Sequence, residues 1–189
     1  EVKEFADLSE QELDRIETLV QNLLKITRLD AGSVALEKKN ENVAEMVRDI
    51  ARQYNYRAKQ EQKEIVLSGA DDISLFCDRD WLSEAIGNIV KNALDHTEKG
   101  DTIHIKWKAL PSAVQITVKD NGCGIHPEDL HHIFKRFYRS RFSKDTQGIG
   151  LGLPLAKAII EAHGGLIEVE SELGIGTSFI MNFPIPTKL

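Results

Sequence analysis

Cysteine is scarce in this chain of 189 residues, with Cys77 and Cys123 the only two. Two thiols cannot staple a small scaffold, and without paired metal-ligand spacing around them they read as free cysteines of a reducing compartment. Long apolar runs are missing too. No stretch approaches the roughly 18 to 20 residues that cross a bilayer, and the leading residues EVKEFADLSEQELDR have neither the basic flank nor the apolar core of a signal peptide. The chain as given is expected to be soluble and cytoplasmic. Positive charge is in the minority, 24 Lys and Arg against 30 Asp and Glu for a net charge of -6. A broad electrostatic footprint for nucleic acid is thereby excluded, and only a local basic patch remains open. Repeats and low-complexity segments are absent. Apolar side chains make up 41% of the residues, enough for the core of one globular domain with a short appendage.

From Ser9 to Gly32 the apolar residues Leu13, Ile16, Val20 and Leu23 recur by threes and fours, Ser9 and Glu12 are spaced as a capping box, and Gly32 is placed to end the helix. Leu19, Leu24 and Ile26 widen that face beyond what one partner covers. Residues 31–40 read as a linker or a first strand. A second helix is expected from Asn42, with Val43, Val47, Ile50, Tyr54 and Ala58 on one face. Glu64 to Leu67 and Ile73 to Cys77 follow as strands, and the turn residues between them suggest a hairpin. A third helix spans about Asp80 to His96. Period-two alternation in residues 102–108 and 113–120 gives an antiparallel pair. Pro154 to His163 forms a last helix followed by Gly164 and Gly165, and strands at Leu166 to Glu170 and Thr177 to Phe183 flank a Gly174-Ile-Gly176 turn, with Pro184 and Pro186 ending the regular structure. Helices alternating with strand pairs imply a two-layer α/β sandwich, a mixed sheet covered by helices on one face and preceded by a long helix.

Between Asn121 and Leu151 no period is sustained, and so long an irregular stretch inside a compact domain usually carries function. At its end, Gly148-Ile-Gly150-Leu-Gly152-Leu153 runs into a helix, where backbone N–H groups and the helix dipole suit an anion such as a triphosphate; tight turns and close helix packing use the same spacing. At its start, Asp120-Asn-Gly122-Cys-Gly124 puts a carboxylate at a strand terminus. It is either a strand-ending turn or an acceptor for an exocyclic amino group such as that of adenine. Asn88, Asn92 and Asp95 share one stripe of the third helix beside its apolar face. They are suited to hydrogen bonding at a domain rim or, through an amide oxygen, to Mg²⁺ that takes its other ligands from phosphate and water. Phe134 to Arg139, with Arg141 and Lys144, form a basic aromatic cluster fit to cover a nucleotide or to meet a partner.

In this order the pieces resemble the catalytic, ATP-binding domain of sensor histidine kinases, of the superfamily shared with gyrase and MutL-type ATPases. Asn88-Ile-Val-Lys-Asn92-Ala93 is similar to the family's N box, Asp120-x-Gly122-x-Gly124 to its first glycine box, and Phe134 to Arg139 to its F box. Gly148-x-Gly150-x-Gly152 is similar to its second glycine box and Gly174-x-Gly176-Thr177 to its third. Leu13 to Gly32 resembles the second helix of the dimerisation and phosphoacceptor hairpin. The resemblance implies a mixed, mostly antiparallel sheet and three segments: 1–32 as a partial hairpin helix, 33–41 as a linker and 42–189 as the catalytic domain. It implies that Asp120 binds the adenine amino group with Thr177 nearby, that Asn92 holds Mg²⁺ with Asn88 in support, and that Ile125 to Gln147 form a lid over ATP or ADP. Arg139 would contact phosphate, Gly148, Gly150, Gly152 and Leu153 would receive the phosphates, and Gly122 and Gly124, with His96 at the end of the N-box helix, would belong to the nucleotide site. The implied partners are a response regulator and a phosphoacceptor helix, and the implied parent is a membrane-anchored homodimeric sensor.

Two departures from the family pattern bear on chemistry. Hydrolytic relatives carry a water-activating glutamate where this chain has Asn88, and Asp95 stands where many members have lysine or another polar residue. None of the six histidines, His96, His104, His126, His131, His132 and His163, has the His-Glu or His-Asp setting of a phosphoacceptor. The chain is expected to be a piece of a longer kinase that begins after the acceptor helix. A nucleotide-dependent interaction module and an anti-sigma-type serine kinase are the alternatives. Because asparagine cannot act as a general base, phosphate release from Mg-ATP should be far slower than for a dedicated ATPase, and acid-labile phosphate should not accumulate stoichiometrically on the chain. A colorimetric phosphate assay and acid-stability labelling read both outcomes.

Overall fold

The computed structural model describes residues 2–140 and 148–185. Its first element, α1 (Val2–Asp30), starts earlier than the capping-box reading: Ser9 lies inside the helix, and its hydroxyl donates to the Phe5 carbonyl at 2.8 Å instead of capping. The end is as expected. Gly32 takes φ +64°, its N–H donates to the Leu29 carbonyl, and the Ser33 N–H donates back to Arg28. The C-terminal half of α1 reaches the core, with Ile26 and Leu29 buried and Leu19 and Leu23 packed against it, whereas Leu13, Ile16, Val20 and Leu24 are exposed.

After β1 (Lys39–Asn42), the Asn42 side chain caps α2 (Val43–Gln60) by accepting the Glu45 N–H at 2.9 Å. The hairpin expected next does not form. β2 (Glu64–Ser68) runs parallel to β4 (Thr102–Leu110), and β3 (Ser74–Cys77) instead pairs antiparallel with β1. The turn residues serve another contact: Gly69 lies so close beneath the Trp107 ring that a Cβ there would meet it at 2.3 Å, and the indole N–H donates to the Ala70 carbonyl. Then come α3 (Arg79–Asp95), β5 (Ala113–Asp120), α4 (Gly152–Ala162), β6 (Leu166–Glu172) and β7 (Gly176–Pro184). Pro184 is thus the last residue of a strand, and Pro186 lies outside the described residues.

The main sheet has the order β2-β4-β5-β7-β6, parallel only between β2 and β4. Alternate residues of its central strands, Ile103, Ile105, Val114, Ile116, Val118, Phe179, Met181 and Phe183, are buried on one face. The cross-strand register aligns them in rows, such as Ile105 beside Val118 beside Phe179. Across this face lie α2, α3 and α4, with α2 on β2 and β4, α3 on β4 and β5, and α4 on β6. The expected apolar stripe of α3 (Leu82, Ala85, Ile86, Ile89, Val90, Ala93) is completely enclosed. Both cysteines are free thiols; burial, with Glu41 and Asp78 adding, pushes Cys77 up to about 11. No helix among the described residues is long and apolar enough to cross a membrane.

His163 ties α4 to the start of α3. Its Nε2 accepts the Asp78 N–H at 3.1 Å while Nδ1 lies 2.8 Å from the Ile159 carbonyl. These partners require the neutral ring with its proton on Nδ1. Asp78, itself buried, caps α3 through the Trp81 N–H and accepts the Glu37 N–H at 2.8 Å. Burial lowers the His163 pKa below its ordinary 6.5 against the opposing effect of the Ile159 carbonyl. The unfolded chain therefore binds the proton first, so this stabilising contribution is complete above pH 6.5 and is lost as pH falls through the depressed folded value. Urea unfolding between pH 8 and 5 should show the decline, and His163→Gln should flatten that component.

Candidate functional site

At one end of the sheet the apolar rows give way to a polar one. Ile103 pairs with Asp120, Asp120 with Thr177, and Thr177 with Ser171. All three polar residues share the helix-covered face, so Asp120 and Thr177 are buried although they stand at strand ends. The Gly122 N–H (2.9 Å) and the Thr177 N–H (3.3 Å) both donate to Oδ1 of Asp120. Among the described residues no hydrogen bond of the chain engages Oδ2. Burial raises the Asp120 pKa above the usual carboxylate value, and the two N–H donors only partly offset this. The Thr177 and Ser171 hydroxyls are 2.9 Å apart.

Asp120 faces a cavity of about 580 Å³. Asn88, Asn92, His96, Gly124, Arg139, Gly148, Gly150, Gly152, Leu153 and Thr177 line it as well. Gly122 lies behind this wall, where a Cβ would meet the His96 carbonyl at 2.2 Å. Gly124, at φ +71°, lies equally close to the Glu172 carbonyl, and Gly176, at φ +138°, to that of Asp120. Gly122, Gly124 and Gly176 thus let the chain lie against itself. Gly152 differs: a Cβ there would find nothing nearer than the Asn88 Oδ1 at 3.7 Å. As the first residue of α4, whose N-terminus has no side-chain cap, it opens onto the cavity with Leu153 and Pro154.

Opposite α4 runs the polar stripe of α3. Asp95 is held by two cations, accepting from Arg57 at 2.7 Å and from Lys91 at 2.9 Å. Its charge is therefore matched within the chain. Arg57 comes from α2, 38 positions away, and nothing in its local sequence signals this pairing. Among the described residues no three His, Cys, Asp or Glu side chains converge to hold a metal ion. The amide oxygen of Asn92 is a neutral donor of the kind that suits a cation taking its other ligands from a bound molecule.

Between the glycine boxes no helix or strand forms among the described residues. Phe137 adopts φ +61° and donates its N–H to the Gly150 carbonyl at 2.9 Å, so the F-box segment packs on the second glycine box. Arg141, Lys144 and the far end of the expected lid at Gln147 lie outside the described residues. The remaining wall was missed from the sequence: Asp14, Arg15, Thr18 and Asn22 of α1 line the same cavity. Their signal was the spacing 14, 18, 22, which puts three polar side chains on one stripe of the helix. Two ion pairs fasten α1 beside the cavity, Lys25 to Glu84 at 2.6 Å and Asp30 to Arg136.

Residues 77–187 match the profile of the histidine kinase-, DNA gyrase B- and HSP90-like ATPases. The sensor protein SrrB of Staphylococcus aureus is 34% identical over 188 residues, 98% of this chain and 32% of that protein. The chain thus spans about a third of the length of the curated relatives it matches. Among solved structures, full-length ShkA in complex with AMPPNP superposes with a TM-score of 0.82 at 27% identity, covering 92% of this chain and 36% of that one. Histidine kinase ThkA in complex with response regulator protein TrrA gives 0.77 at 25% identity, covering 100% and 53%. The two-layer fold with its mostly antiparallel sheet is the fold of these structures.

The glycine geometry separates fold from ligand. Gly122→Ala and Gly124→Ala should destabilise the chain by about 2 kcal/mol or more through backbone collision. Gly152→Ala should stay within roughly 0.5 kcal/mol of the parent. Thermal unfolding of the three variants without nucleotide checks this order.

Proposed function

Because the chain belongs to the histidine kinase-, DNA gyrase B- and HSP90-like ATPase family, we propose that it is the catalytic, ATP-binding unit of a two-component sensor histidine kinase. It passes the γ-phosphoryl group of ATP to a histidine on another helix, from which a response regulator takes it. The carrying observation is the buried Asp120 carboxylate on the cavity wall, with Oδ1 accepting from two backbone donors and Oδ2 without a partner among the described residues. A carboxylate so placed accepts a hydrogen bond from the exocyclic amino group of adenine, with the Thr177 side chain beside it.

From that anchor the cavity leads to the N-terminus of α4, where the amides around Gly150, Gly152 and Leu153 suit the phosphates. Arg139 on the same wall supplies a guanidinium to the transferring group, and His96 borders the purine end. Asn92 is the donor that fits Mg²⁺, with Asn88 behind it. When bound with the nucleotide, the metal neutralises phosphate charge. Transfer then rests on positioning and charge stabilisation by these side chains, with no protein nucleophile in this domain. With Asn88 where a general base would stand, water is not activated and the phosphoryl group is reserved for its acceptor.

The segment plan follows the same reading: residues 42–189 as the catalytic unit, 33–41 as a linker and 1–32 as one helix of a dimerisation hairpin. The exposed stripe Leu13, Ile16, Val20 and Leu24 supports that last assignment, since it asks for neighbouring helices. A membrane-anchored homodimer is the parent this implies.

Asp120→Asn should weaken Mg-ADP and Mg-ATP by roughly 10- to 100-fold, the loss of one buried charge-assisted hydrogen bond of about 1.5 to 3 kcal/mol. In the parent protein affinity should fall as pH drops through the raised Asp120 value, because the protonated carboxyl loses its charge; the variant should lack this component. Isothermal titration with ADP, AMP-PNP and GDP tests the reading. Unchanged adenine-nucleotide affinity in Asp120→Asn would overturn it.

A further inference from the structure

We propose that Asp129 is a positioning residue that holds Arg139 at the phosphate end of the cavity. Asp129 lies in the irregular segment between the glycine boxes yet is only 3% exposed. Its backbone is fixed at both ends: its N–H donates to the His126 carbonyl at 2.8 Å, and its carbonyl accepts the His132 N–H at 2.7 Å. The carboxylate is divided between two hydroxyls, Tyr138 donating to Oδ1 and Ser140 to Oδ2. Those donors flank Arg139.

With Tyr138 and Ser140 both bonded to this carboxylate, the chain is held on either side of Arg139. Arg139 itself is exposed between two half-buried neighbours, and it lines the cavity shared with Gly150 and Gly152. The register of this short run is fixed from its other end too. Phe137 donates its N–H to the Gly150 carbonyl, and Gly150 packs so closely that a Cβ would meet the Tyr138 carbonyl at 2.7 Å. The Tyr138 ring is set by His132, their centroids 5.3 Å apart. A buried acid beside a polyanion site is unfavourable on charge alone. Here both oxygens accept hydroxyl protons, which stabilises the acid where it stands and makes it the anchor for the segment carrying the guanidinium.

The inference rests on the proposed contact of Arg139 with the terminal phosphate and goes beyond it by assigning what aims that side chain. A phosphate-directed role affects nucleotides by length, whereas a purely structural role affects them alike. The experiment compares dissociation constants for Mg-ADP and Mg-AMP-PNP in the full chain and in five variants: Arg139→Ala, Asp129→Ala, Asp129→Asn, Arg139→Ala combined with Asp129→Ala, and the double variant Tyr138→Phe/Ser140→Ala. The double variant removes only two hydroxyls and guards against misfolding of Asp129→Ala. Arg139→Ala is expected to weaken AMP-PNP about tenfold and leave ADP nearly unchanged, a loss the size of one charge-assisted hydrogen bond. Asp129→Ala and the double variant should reproduce that selective loss, Asp129→Asn should recover part of it, and adding Arg139→Ala to Asp129→Ala should cost little more. If Arg139→Ala discriminates between the nucleotides but the double variant and Asp129→Ala bind both as the parent does, or lose both equally, the role of Asp129 is overturned alone. If Arg139→Ala does not discriminate, the phosphate contact falls and the positioning role falls with it.

Discussion

The pairing of the start of β7 with the end of β5 is the constraint on which the rest of the site depends. Gly176 brings its backbone so close to the Asp120 carbonyl that no Cβ fits between them, and this contact lets the next residue, Thr177, give its N–H to the Asp120 carboxylate. Behind it, Gly122 closes on the His96 carbonyl and donates its N–H to Oδ1 of Asp120, the oxygen that Thr177 also engages. The final turn of α3 and two strand ends therefore meet around one acid. Hydrophobic rows on the same sheet face keep the strands in register, because a slip of one residue would move Asp120 to the solvent side together with every core residue of β5.

A cavity proposed for a polyanion carries four acids on its walls, Asp14, Asp95, Asp120 and Asp129. Three of them are managed in different ways. Asp95 is neutralised by Arg57 and Lys91, so its departure from the family pattern is matched by cations from two helices. Asp129 is stabilised by hydroxyl donors. Asp120 has two backbone N–H groups on a single oxygen, and its displaced pKa records the cost of keeping a carboxylate in a dry place. Residual cost of this kind is common where a group is held ready for a ligand rather than satisfied by the fold.

Much of the architecture was legible because it is written in local periods. The enclosed stripe of α3, the Asn42 cap and the alternation in β4 and β5 each depend on residues within one element. Ser9 misled because a Ser-x-x-Glu spacing that looks like a cap is also compatible with a helix interior, where the hydroxyl bonds back to Phe5. The β2–β3 hairpin misled for a different reason: turn chemistry says that the chain bends, not which strand it then meets, and the Trp107 ring over Gly69 is a contact between residues far apart in sequence. At the site, the boxes marked Asp120 and the residues around Gly150. What they could not mark were Arg57, the α1 wall and the two hydroxyls on Asp129, all of which come together only in three dimensions. Gly122 is the converse, a residue of the motif whose work is to let two backbones touch.

The placement of α1 has a consequence for how the helix and the cavity are coupled. One helix supplies a side of the chamber through Thr18 and Asn22 and is fastened by Lys25 and Asp30 at its far end. Any rotation or sliding of that helix reshapes the chamber, and whatever fills the chamber must in turn favour one attitude of the helix. Thermodynamic reciprocity makes the two effects equal in free energy. A helix so placed is a wall of the chamber and, should it move, a lever on whatever the chamber holds.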